Sequence, residues 1–563
     1  MHLSELLAEV RPHVEANFRS PGGDWPACTL FFSVSDGTSR ARVRHASASD
    51  FASAWLVGTE KLEQLVQRRG MQVRWLRIDW VEEVRETTMK AWSEELAKTK
   101  RNYYRYGVAL DRGLKIAFLE QELNGNAMLY GGNEVAHATV NLHNFNVYAA
   151  NRYGAGTELD PGKDRAVYVL STRGVFRDAL EARTHLLYGP GRNAGRRVRD
   201  RLTDQDVFEL IERGALYLAS QVQESGKFHY GWHPCFDRPI NAYNSLRHAS
   251  TTYAMIEAWE VTRDETLKQA IDRSLSYLTT KLIAQAELPD GRRGAFLVDG
   301  SEVKLGGNAV CLLALSKYAQ VTGTDRHHAL MAALAEGVLF MQDPATGRFV
   351  HVLNYPDLSV KEPFRIIYYD GEAAFGLMRL YGLTREPRWL EAVVRAFDYF
   401  LSAEHWKAHD HWLSYCVNEL TTYRPQAKYF EFGIKNFADY LDFVRDRITT
   451  FPTLLELMMA AETMLQRLVM YPEMRPLLNA VDLDAFYEAL ERRAHYLQNG
   501  HFWPEYAMYF RNPARIVGSF FIRHHAFRVR IDDVEHYLSG LVAYLRYLQA
   551  GGRVRALRLQ AAA

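Results

Sequence analysis

Twelve amphipathic segments follow one another from residue 204 to residue 548, and their alternation constrains the fold more than any other feature of the sequence. Every second segment carries charged residues along one face, which is typical of a half-exposed helix. The segments between them are rich in Ala, Leu, Met and small residues on nearly all sides, which is typical of a buried helix. Because buried helices inside half-exposed ones close naturally into a ring, we predict a mainly α fold, an (α/α)6 toroid over residues 200–563.

The predicted helices form two sets of six. The half-exposed set covers residues 204–223, 264–283, 326–341, 387–403, 432–447 and 484–498, and the buried set covers residues 245–261, 308–321, 371–383, 411–422, 452–468 and 533–548. A short motif of glycine, one further residue and phenylalanine recurs between a half-exposed segment and the next buried one, at Gly226, Gly294, Gly347 and Gly500. Such an internal repeat is the mark of a repeated hairpin architecture.

Residues 1–190 have a different pattern, in which strand-like and helix-like stretches are mixed. Strands are predicted at 29–35, 72–79 and 167–170, helices at 47–69, 87–99 and 136–153, and short apolar runs at 106–110 and 116–119. We therefore predict a smaller α+β domain ahead of the ring. A stretch rich in glycine and arginine from Tyr188 to Arg197 then predicts a solvated linker.

Composition limits the partners and the compartment. The 68 basic residues nearly balance the 67 acidic ones, and the net charge is +1, which argues against a nucleic-acid partner. The 4 cysteines include no CxxC pair, which favours a reducing compartment. No apolar run is long enough for a membrane span, and the charged N-terminus does not resemble a signal peptide, so we expect a cytoplasmic protein.

The alternating helices and the repeated glycine–phenylalanine connections resemble the six-hairpin glycosidase-like toroids. That superfamily includes inverting hydrolases, unsaturated glucuronyl hydrolases, acylglucosamine epimerases and glucuronyl C5-epimerases. The resemblance covers about residues 200–550 and rests on the architecture. It implies a carbohydrate-active enzyme with a saccharide substrate, and a site where the loops before the buried helices meet.

Three groups of polar residues stand at the starts of buried helices. In the first, Asn244, Arg247 and His248 share one helix face, beside Tyr243; an arginine there suits a carboxylate and a histidine can move a proton. A hydrogen-bonded structural cluster is the alternative.

In the second group, Asp370 is a candidate helix cap and Glu372 lies in the first turn, next to Tyr369. The third combines Arg530, Asp532, Asp533 and His536, with either aspartate as a cap of the last buried helix and His536 one turn after Asp532.

Weaker candidates are spread along the ring. They are Asn308, His351, His409, Asp410, His411, Glu431 and Glu505, with the aromatic residues Trp232, Tyr368, Trp412 and Trp503 as possible stacking surfaces. The His409-Asp410-His411 run has the spacing of a strand rather than of a helical metal site, so we predict no metal and no cofactor. Nucleotide-binding and zinc-protease motifs are absent from the sequence.

Two reactions fit these residues. Inverting hydrolysis of a glycoside, neutral or acidic, needs a carboxylic acid and a carboxylate, which Asp370 or Glu372 opposite Asp532 or Asp533 could supply. Epimerisation or lyase chemistry would instead use His248, His536 and Tyr369 as proton carriers, with Arg247 or Arg530 as a clamp. Carboxylates in two of the three groups favour hydrolysis, with Asn244, Arg247, Tyr243, Tyr369, Arg530 and Trp232 binding the sugar. A non-catalytic ring that binds a polymer or a protein partner is the third interpretation.

Overall fold

The chain was analysed as a computed structural model, which describes residues 2–160 and 164–560. It divides into two compact units. The first contains residues 1–200, 231–240 and 499–529, and the second contains residues 201–230, 241–498 and 530–563. Residues 231–240 and 499–529 are loops between ring helices, and they cluster with the N-terminal unit.

The first unit is built around an antiparallel sheet. In chain order its first 200 residues form α1 (Leu3–Asn17), β1 (Cys28–Ser35), β2 (Arg42–Ala48), α2 (Phe51–Arg69), β3 (Trp75–Thr88), α3 (Met89–Lys98), β4 (Gly107–Ala109), β5 (Ala117–Phe118), α4 (Glu120–Gly125), α5 (Leu142–Tyr153), β6 (Ala166–Asp178) and β7 (Thr184–Leu186). Within the described residues the sheet has the order β2-β1-β3-β6-β4-β5, and β7 pairs with β6. Leu6 of α1 and Leu62 of α2 share a fully buried core with Leu30 and Ile78 of the sheet.

The second unit contains the helices of the ring. After α5 the chain forms α6 (Asp204–Gln221), α7 (Ser245–Thr262), α8 (Glu265–Tyr277), α9 (Leu305–Thr322), α10 (His328–Phe340), α11 (Tyr368–Thr384), α12 (Pro387–Ser402), α13 (His411–Tyr423), α14 (Ala427–Lys435), α15 (Leu441–Asp446), α16 (Thr453–Leu468), α17 (Leu483–Leu497), α18 (Pro504–Ala507), which belongs to the first unit, α19 (Ile531–Gln549) and α20 (Val554–Gln560).

Short strands accompany the ring helices. They are β8 (Gly231–His233), β9 (Arg238–Pro239), β10 (Ile283–Glu287), β11 (Arg293–Asp299), β12 (Glu302–Lys304), β13 (Val352–Asn354), β14 (Val360–Glu362) and β15 (Val529–Arg530). Of these, β10 to β14 form one antiparallel sheet in sequence order, in the loops before α9 and α11.

The helices close into a double-layered ring. Among the described residues α7, α9, α11, α13, α16 and α19 contact one another in that order, and α19 contacts α7 again. The helices α6, α8, α10, α12, α14 and α17 pack outside them. The predicted (α/α)6 toroid is therefore confirmed. One predicted helix was wrong: residues 432–447 are divided between α14 and α15, because the chain turns at Asn436, whose side chain bonds to the backbone of Asp410.

The repeated glycines have a steric reason in two of the connections. Gly226 and Gly347 both have a positive φ, which favours glycine. A Cβ atom at either position would lie 2.1 Å from a backbone carbonyl oxygen of an outer helix, that of Arg273 or Arg395. The phenylalanines two residues later, Phe228 and Phe349, are buried. The motif thus lets a connection run directly against the neighbouring outer helix.

The predicted linker is only partly solvated, because residues 190–192 are exposed whereas residues 194–197 are buried. Arg196 and Arg197 are buried in the first unit, and the guanidinium of Arg197 donates two hydrogen bonds of 2.9 Å to the carboxylate of Glu505. The carbonyl of Glu505 also accepts a hydrogen bond of 2.7 Å from Arg77. The arginines therefore fasten residues 499–529 to the N-terminal unit instead of keeping a linker in water. Among the described residues, no helix is both long enough and apolar enough to cross a bilayer.

Replacing Glu505 with Gln tests this buried ion pair. The amide keeps the shape of the side chain but leaves the buried guanidinium of Arg197 without a counter-charge, so we expect a loss of about 3–5 kcal/mol in the free energy of unfolding of the first unit. Urea titration measures it. The matched control is Glu15→Gln, which removes a largely exposed ion pair to Arg11 and should change stability by less than about 1 kcal/mol. Equal stability of both variants would contradict the assignment.

Candidate active site at the centre of the ring

The first turns of the inner helices bring ionisable side chains to one point. Glu372 of α11 has Asp410, Glu535, His536 and Arg247 as its electrostatic neighbours. These residues lie at the starts of three other inner helices, α13, α19 and α7. We call the cluster the hub and define it by one residue from each inner helix: Arg247, Gly306, Glu372, His411, Glu456 and His536.

Gly306 provides the space for Glu372. A Cβ atom at position 306 would lie only 1.8 Å from Oε2 of Glu372 and 2.7 Å from the ring of Tyr369. The carboxyl group therefore packs directly against the backbone of α9, and it is 4% exposed. Its Oε2 atom has no hydrogen-bond partner in the described part of the chain.

Burial makes Glu372 a weak acid. Loss of hydration disfavours its charged form, and the nearby carboxylates of Asp410 and Glu535 add to the effect, so its pKa is raised well above the usual range. His536 and Arg247 oppose the shift but do not cancel it. Burial and the neighbouring carboxylates thus favour the protonated, neutral form of Glu372. Burial also raises the pKa of Glu535, although Ser250 and Thr251 donate hydrogen bonds of 2.7 and 2.8 Å to its carboxylate.

The imidazole rings of two histidines pack edge to face at the hub. The rings of His411 and His536 have centroids 5.3 Å apart and planes inclined by 80°. Nδ1 of His536 donates a hydrogen bond of 2.9 Å to Oε2 of Glu456, and Tyr415 donates one of 3.1 Å to the other oxygen of Glu456. Nδ1 of His411 lies 3.2 Å from Oδ1 of Asp410, whose other oxygen caps α13. The His536 ring is thus oriented by a carboxylate, whereas the Asp410 oxygen beside His411 has no hydrogen-bond partner among the described residues.

His536 is held in its charged form. Burial would lower its pKa, but the charge and the hydrogen bond of Glu456 outweigh burial and raise the pKa from 6.5 to about 9. At pH 7 this side chain is an imidazolium, and 24% of it is exposed. His411 is 4% exposed, and among the described residues its Nε2 atom has no hydrogen-bond partner. The pair therefore contains an imidazolium and a buried imidazole nitrogen that has no hydrogen-bond partner among the described residues.

A metal could also fit this arrangement. The ligand atoms of His411, Glu456 and His536 lie within 4.8 Å of one another. Two imidazoles and one carboxylate suit zinc or iron(II). The sequence predicted no metal site, because His411 and His536 are far apart in the chain and the His409–His411 spacing was the only local signal.

The arginines and aspartates of the third predicted group pair with one another. Arg247 forms an ion pair with Asp532, and Arg530 lies 2.9 Å from the same carboxylate and 3.2 Å from that of Asp533. Neither aspartate caps α19, since the helix already begins at Ile531 and both lie in its first turn. Arg530, Asp532 and Asp533 thus stand beside the hub, with the aspartates neutralised by guanidinium groups.

Asp370 is occupied elsewhere. Its Oδ2 atom lies 3.2 Å from Nε2 of His351 and 3.7 Å from Nε2 of His405. Burial would raise the pKa of Asp370, but these histidines outweigh it and lower the pKa. The predicted cap is also absent, because α11 begins at Tyr368 and includes Asp370. Asp370 therefore ties the loop before α11 to the end of α12, and it does not take part in the electrostatic cluster of Glu372.

His248 belongs to a packing cluster between α7 and α8. Its Nε2 atom donates to the carbonyl of Ser274 at 3.0 Å, and its Nδ1 atom accepts a hydrogen bond of 2.7 Å from Tyr243. Burial lowers the pKa of His248 to about 4, so the ring is neutral. Asn244 caps α7 through the N–H of Arg247. The structural alternative for this group thus describes Asn244, Tyr243 and His248, whereas Arg247 reaches the hub.

The two remaining predicted binding residues lie in different surroundings. Tyr369 packs against Gly306 and Glu372, and burial followed by the charge of Glu372 raises its pKa to about 12, so it is a phenol at neutral pH. Trp232 belongs to the first unit, where the guanidinium of Arg515 lies 4.1 Å from the centre of its ring. The sequence pattern did not indicate two carboxylates of the site, Glu456 in the hub and Glu535 beside it. Glu456 had a usable signal, because it is an acidic residue among Leu and Met in a buried helix.

Solved structures similar to this chain include an isomerase, an epimerase and a mannanase. A D-mannose isomerase aligns with 61% of this chain and 97% of its own, at 12% identity and a TM-score of 0.46. A sugar epimerase from a ruminal bacterium aligns with 62% and 99%, at 9% identity and a TM-score of 0.48. The GH76A α-1,6-mannanase of Salegentibacter sp. HEL1_6 aligns with 60% and 98%, at 13% identity and a TM-score of 0.41. No protein-family model and no curated protein matches the sequence. All three TM-scores lie below 0.5, so these structures carry no argument about the chemistry of the hub.

Replacing Glu456 with Gln should lower the pKa of His536 well below 9, because burial then acts without the opposing charge. A folded-state pKa raised from 6.5 to about 9 corresponds to about 3 kcal/mol of stability. This contribution is fully present below pH 6.5 and is lost as the pH rises through about 9. Histidine NMR titration measures the pKa, and thermal unfolding at both ends of this range measures stability. Glu456→Gln should destabilise the protein more at the acidic end of this range than at the alkaline end. The exposed control Glu473→Gln should not destabilise it at either end.

Gly306→Ala should disturb the hub without replacing a polar side chain. The added methyl must displace the Glu372 carboxyl or the Tyr369 ring, and overpacking of this kind costs about 1–3 kcal/mol. A combined Gly306→Ala, Glu372→Ala variant removes the clashing carboxyl and should recover part of the loss. If the single variant is as stable as the parent protein, Glu372 does not pack against α9.

Proposed function

We propose that the ring is a sugar epimerase or isomerase that moves a proton at the carbon next to the carbonyl group of an aldose. The observation that carries the proposal is the pair of neighbouring imidazoles, His411 and His536, which pack edge to face close to the guanidinium of Arg247. Glu456 accepts a hydrogen bond from His536, and Oδ1 of Asp410 lies 3.2 Å from Nδ1 of His411. Proton transfer at carbon needs a base and an acid that can both reach the same atom.

His411 is suited to the role of base. Its Nδ1 atom faces Asp410, and a carboxylate at that position favours the tautomer in which Nε2 carries a lone pair. The Nε2 atom is buried and has no partner among the residues described, so a substrate C–H group does not have to displace a protein hydrogen bond.

His536 is suited to the role of acid. The Glu456 carboxylate keeps it protonated to about pH 9, and the Nε2 side lies 3.7 Å from Glu535. Once His536 has given up its proton, the charge of Glu456 favours binding of a new proton by His536. The two histidines can exchange roles in the reverse direction, as an epimerase requires.

Arg247 is suited to stabilise the intermediate. A guanidinium has five N–H donors, so the ion pair with Asp532 leaves donors for a sugar oxygen, and one third of the Arg247 side chain is exposed. Donors placed where negative charge develops are worth several kcal/mol in a site that excludes water.

The proposed steps balance as follows. His411 takes the C2 proton of the open-chain aldose, and the electron pair of the C–H bond forms an enediolate whose oxygen faces Arg247. His536 then donates its proton to C2 from the other side, which gives the epimer. Donation to C1 instead, with proton transfer between the oxygens, gives the ketose. No electron acceptor is consumed.

The charges of the hub favour a neutral sugar over an acidic one. The carboxyl groups of Asp410, Glu456, Asp532, Asp533 and Glu535 surround the cationic groups of Arg247, Arg530 and His536. A uronate would add a further negative charge beside carboxylates that are already crowded. The sequence leaves neutral and acidic saccharides open, and the proposal therefore takes a neutral aldose.

Inverting hydrolysis is the second candidate, and Glu372 is the observation that favours it. Its raised pKa makes it a carboxylic acid able to protonate a glycosidic oxygen, with Asp410 or Glu535 as the base.

The test is incubation of the protein with neutral aldoses, disaccharides and uronates in heavy water. We expect an epimer or ketose of a neutral sugar, with deuterium incorporated at the reacting carbon. His411→Asn and His536→Gln should each lower kcat by about 10²–10⁴. The matched control is His328→Gln, a histidine exposed on the outer helix α10, which should keep full activity. Product without deuterium, or full activity in either hub variant, would contradict the proposal.

Glu372→Gln separates the two candidates. The amide is neutral, as the protonated acid is, so an epimerase should keep its activity within about ten-fold, whereas loss of a general acid costs about 10²–10⁴. Release of new reducing ends that depends on Glu372 would instead assign hydrolysis. Each assay is repeated with a chelator, and a loss of activity that a divalent cation restores would assign the His411–Glu456–His536 cluster to a metal.

A further inference from the structure

The first unit contains a groove lined by cationic side chains. It has a volume of about 630 Å³ and lies between β2, α2, the turn before β5 and the end of α5. Its lining includes Arg44, Lys61, Arg68 and Lys115, and we call this surface the basic groove. No Asp or Glu is among the residues that line it.

The positive charge of the basic groove is not compensated. In the described part of the chain none of these four cations forms an ion pair with a carboxylate. Their hydrogen bonds go to backbone carbonyl oxygens: Arg44 to Val43, Lys61 to His45 and Arg68 to Gln64. Such bonds leave most of their N–H donors available.

The surroundings of Arg44 show the same excess. Burial lowers the pKa of its guanidinium, and the charges that act on it further are those of Arg152, Arg68, Arg42 and Arg69, all of which lower it. Ordinary surface arginines sit among charges of both signs, so a half-buried arginine with only cationic neighbours is costly. An anion in the groove would relieve that cost.

The floor of the groove is fixed. Arg152 is buried and forms an ion pair with Glu122, and Tyr148 donates a hydrogen bond of 2.6 Å to the same carboxylate. His45 stacks on Phe31, and burial followed by the charge of Arg152 lowers its pKa to about 3. His45 is therefore neutral, and the cations at the rim supply the recognition.

We propose that the basic groove binds a small phosphorylated molecule of about nucleotide size. Two guanidinium forks and two ammonium groups match the oxygens of a phosphate chain. The volume lies within the usual range for small-molecule sites, about 300–1,000 Å³. A long nucleic acid is disfavoured, because the whole chain has a net charge of only +1. The site is independent of the reaction proposed for the ring.

Calorimetric titration of the full chain with ATP and with inorganic pyrophosphate tests the groove. We expect binding that weakens with added salt. The affinity of the double variant Arg44→Gln/Arg68→Gln should be at least about ten-fold lower, because charge-assisted hydrogen bonds are lost. The matched control is Lys90→Gln, Lys98→Gln, which removes the same charge from the exposed face of α3 and should bind as the parent does. Lys61→Gln, Lys115→Gln alters exposed side chains alone and serves if the arginine variant is unstable.

Three results would overturn the inference. The first is no heat of binding for either probe. The second is equal affinity in the groove variants and the parent. The third is a single-stranded oligonucleotide that binds through the same residues far more tightly than its mononucleotide, since this would assign the groove to nucleic acid.

Discussion

Closure of the ring places the starts of all its inner helices around one point, and the cost of burying charge at that point governs the chemistry of the site. A carboxylate can lose its charge, gain hydrogen-bond donors or pair with a cation when water is removed. All three outcomes occur among the carboxylates in and beside the hub. Glu372 becomes protonated, Glu535 accepts from two hydroxyl groups, and Asp532 lies between two guanidinium groups.

These different solutions decide which groups are able to react. An aspartate held by two arginines is stabilised as an anion, so it makes a poor acid and a weak base. A glutamate that binds one imidazole has a different effect, because it raises the proton affinity of that imidazole. Glu456 therefore turns His536 into a proton donor, whereas Arg247 and Arg530 make Asp532 a positioning group.

The sequence predicts the ring well because the helices depend on local periodicity. Nearly all the predicted segments agree with observed helices to within a few residues, and the exception, residues 432–447, is interrupted by a bond from Asn436 to a residue of another helix. The site is less predictable, because its pairs join residues far apart in the chain. His536 bonds to Glu456 from 80 positions away, and Ser250 bonds to Glu535 from 285 positions away. A search for acids and bases that are neighbours in sequence therefore favoured Asp370, Asp532 and Asp533 over Glu456.

Two histidines illustrate why residue type alone does not identify a proton carrier. His248 and His536 both stand in the first turns of inner helices, and burial acts to lower the pKa of each. His248 binds a backbone carbonyl and a tyrosine hydroxyl, which are neutral, so burial prevails and its pKa falls to about 4. His536 binds a carboxylate, so the opposite charge prevails and its pKa rises to about 9. The two differ by the charge of one partner, and that partner lies on a helix whose position is set only when the ring closes.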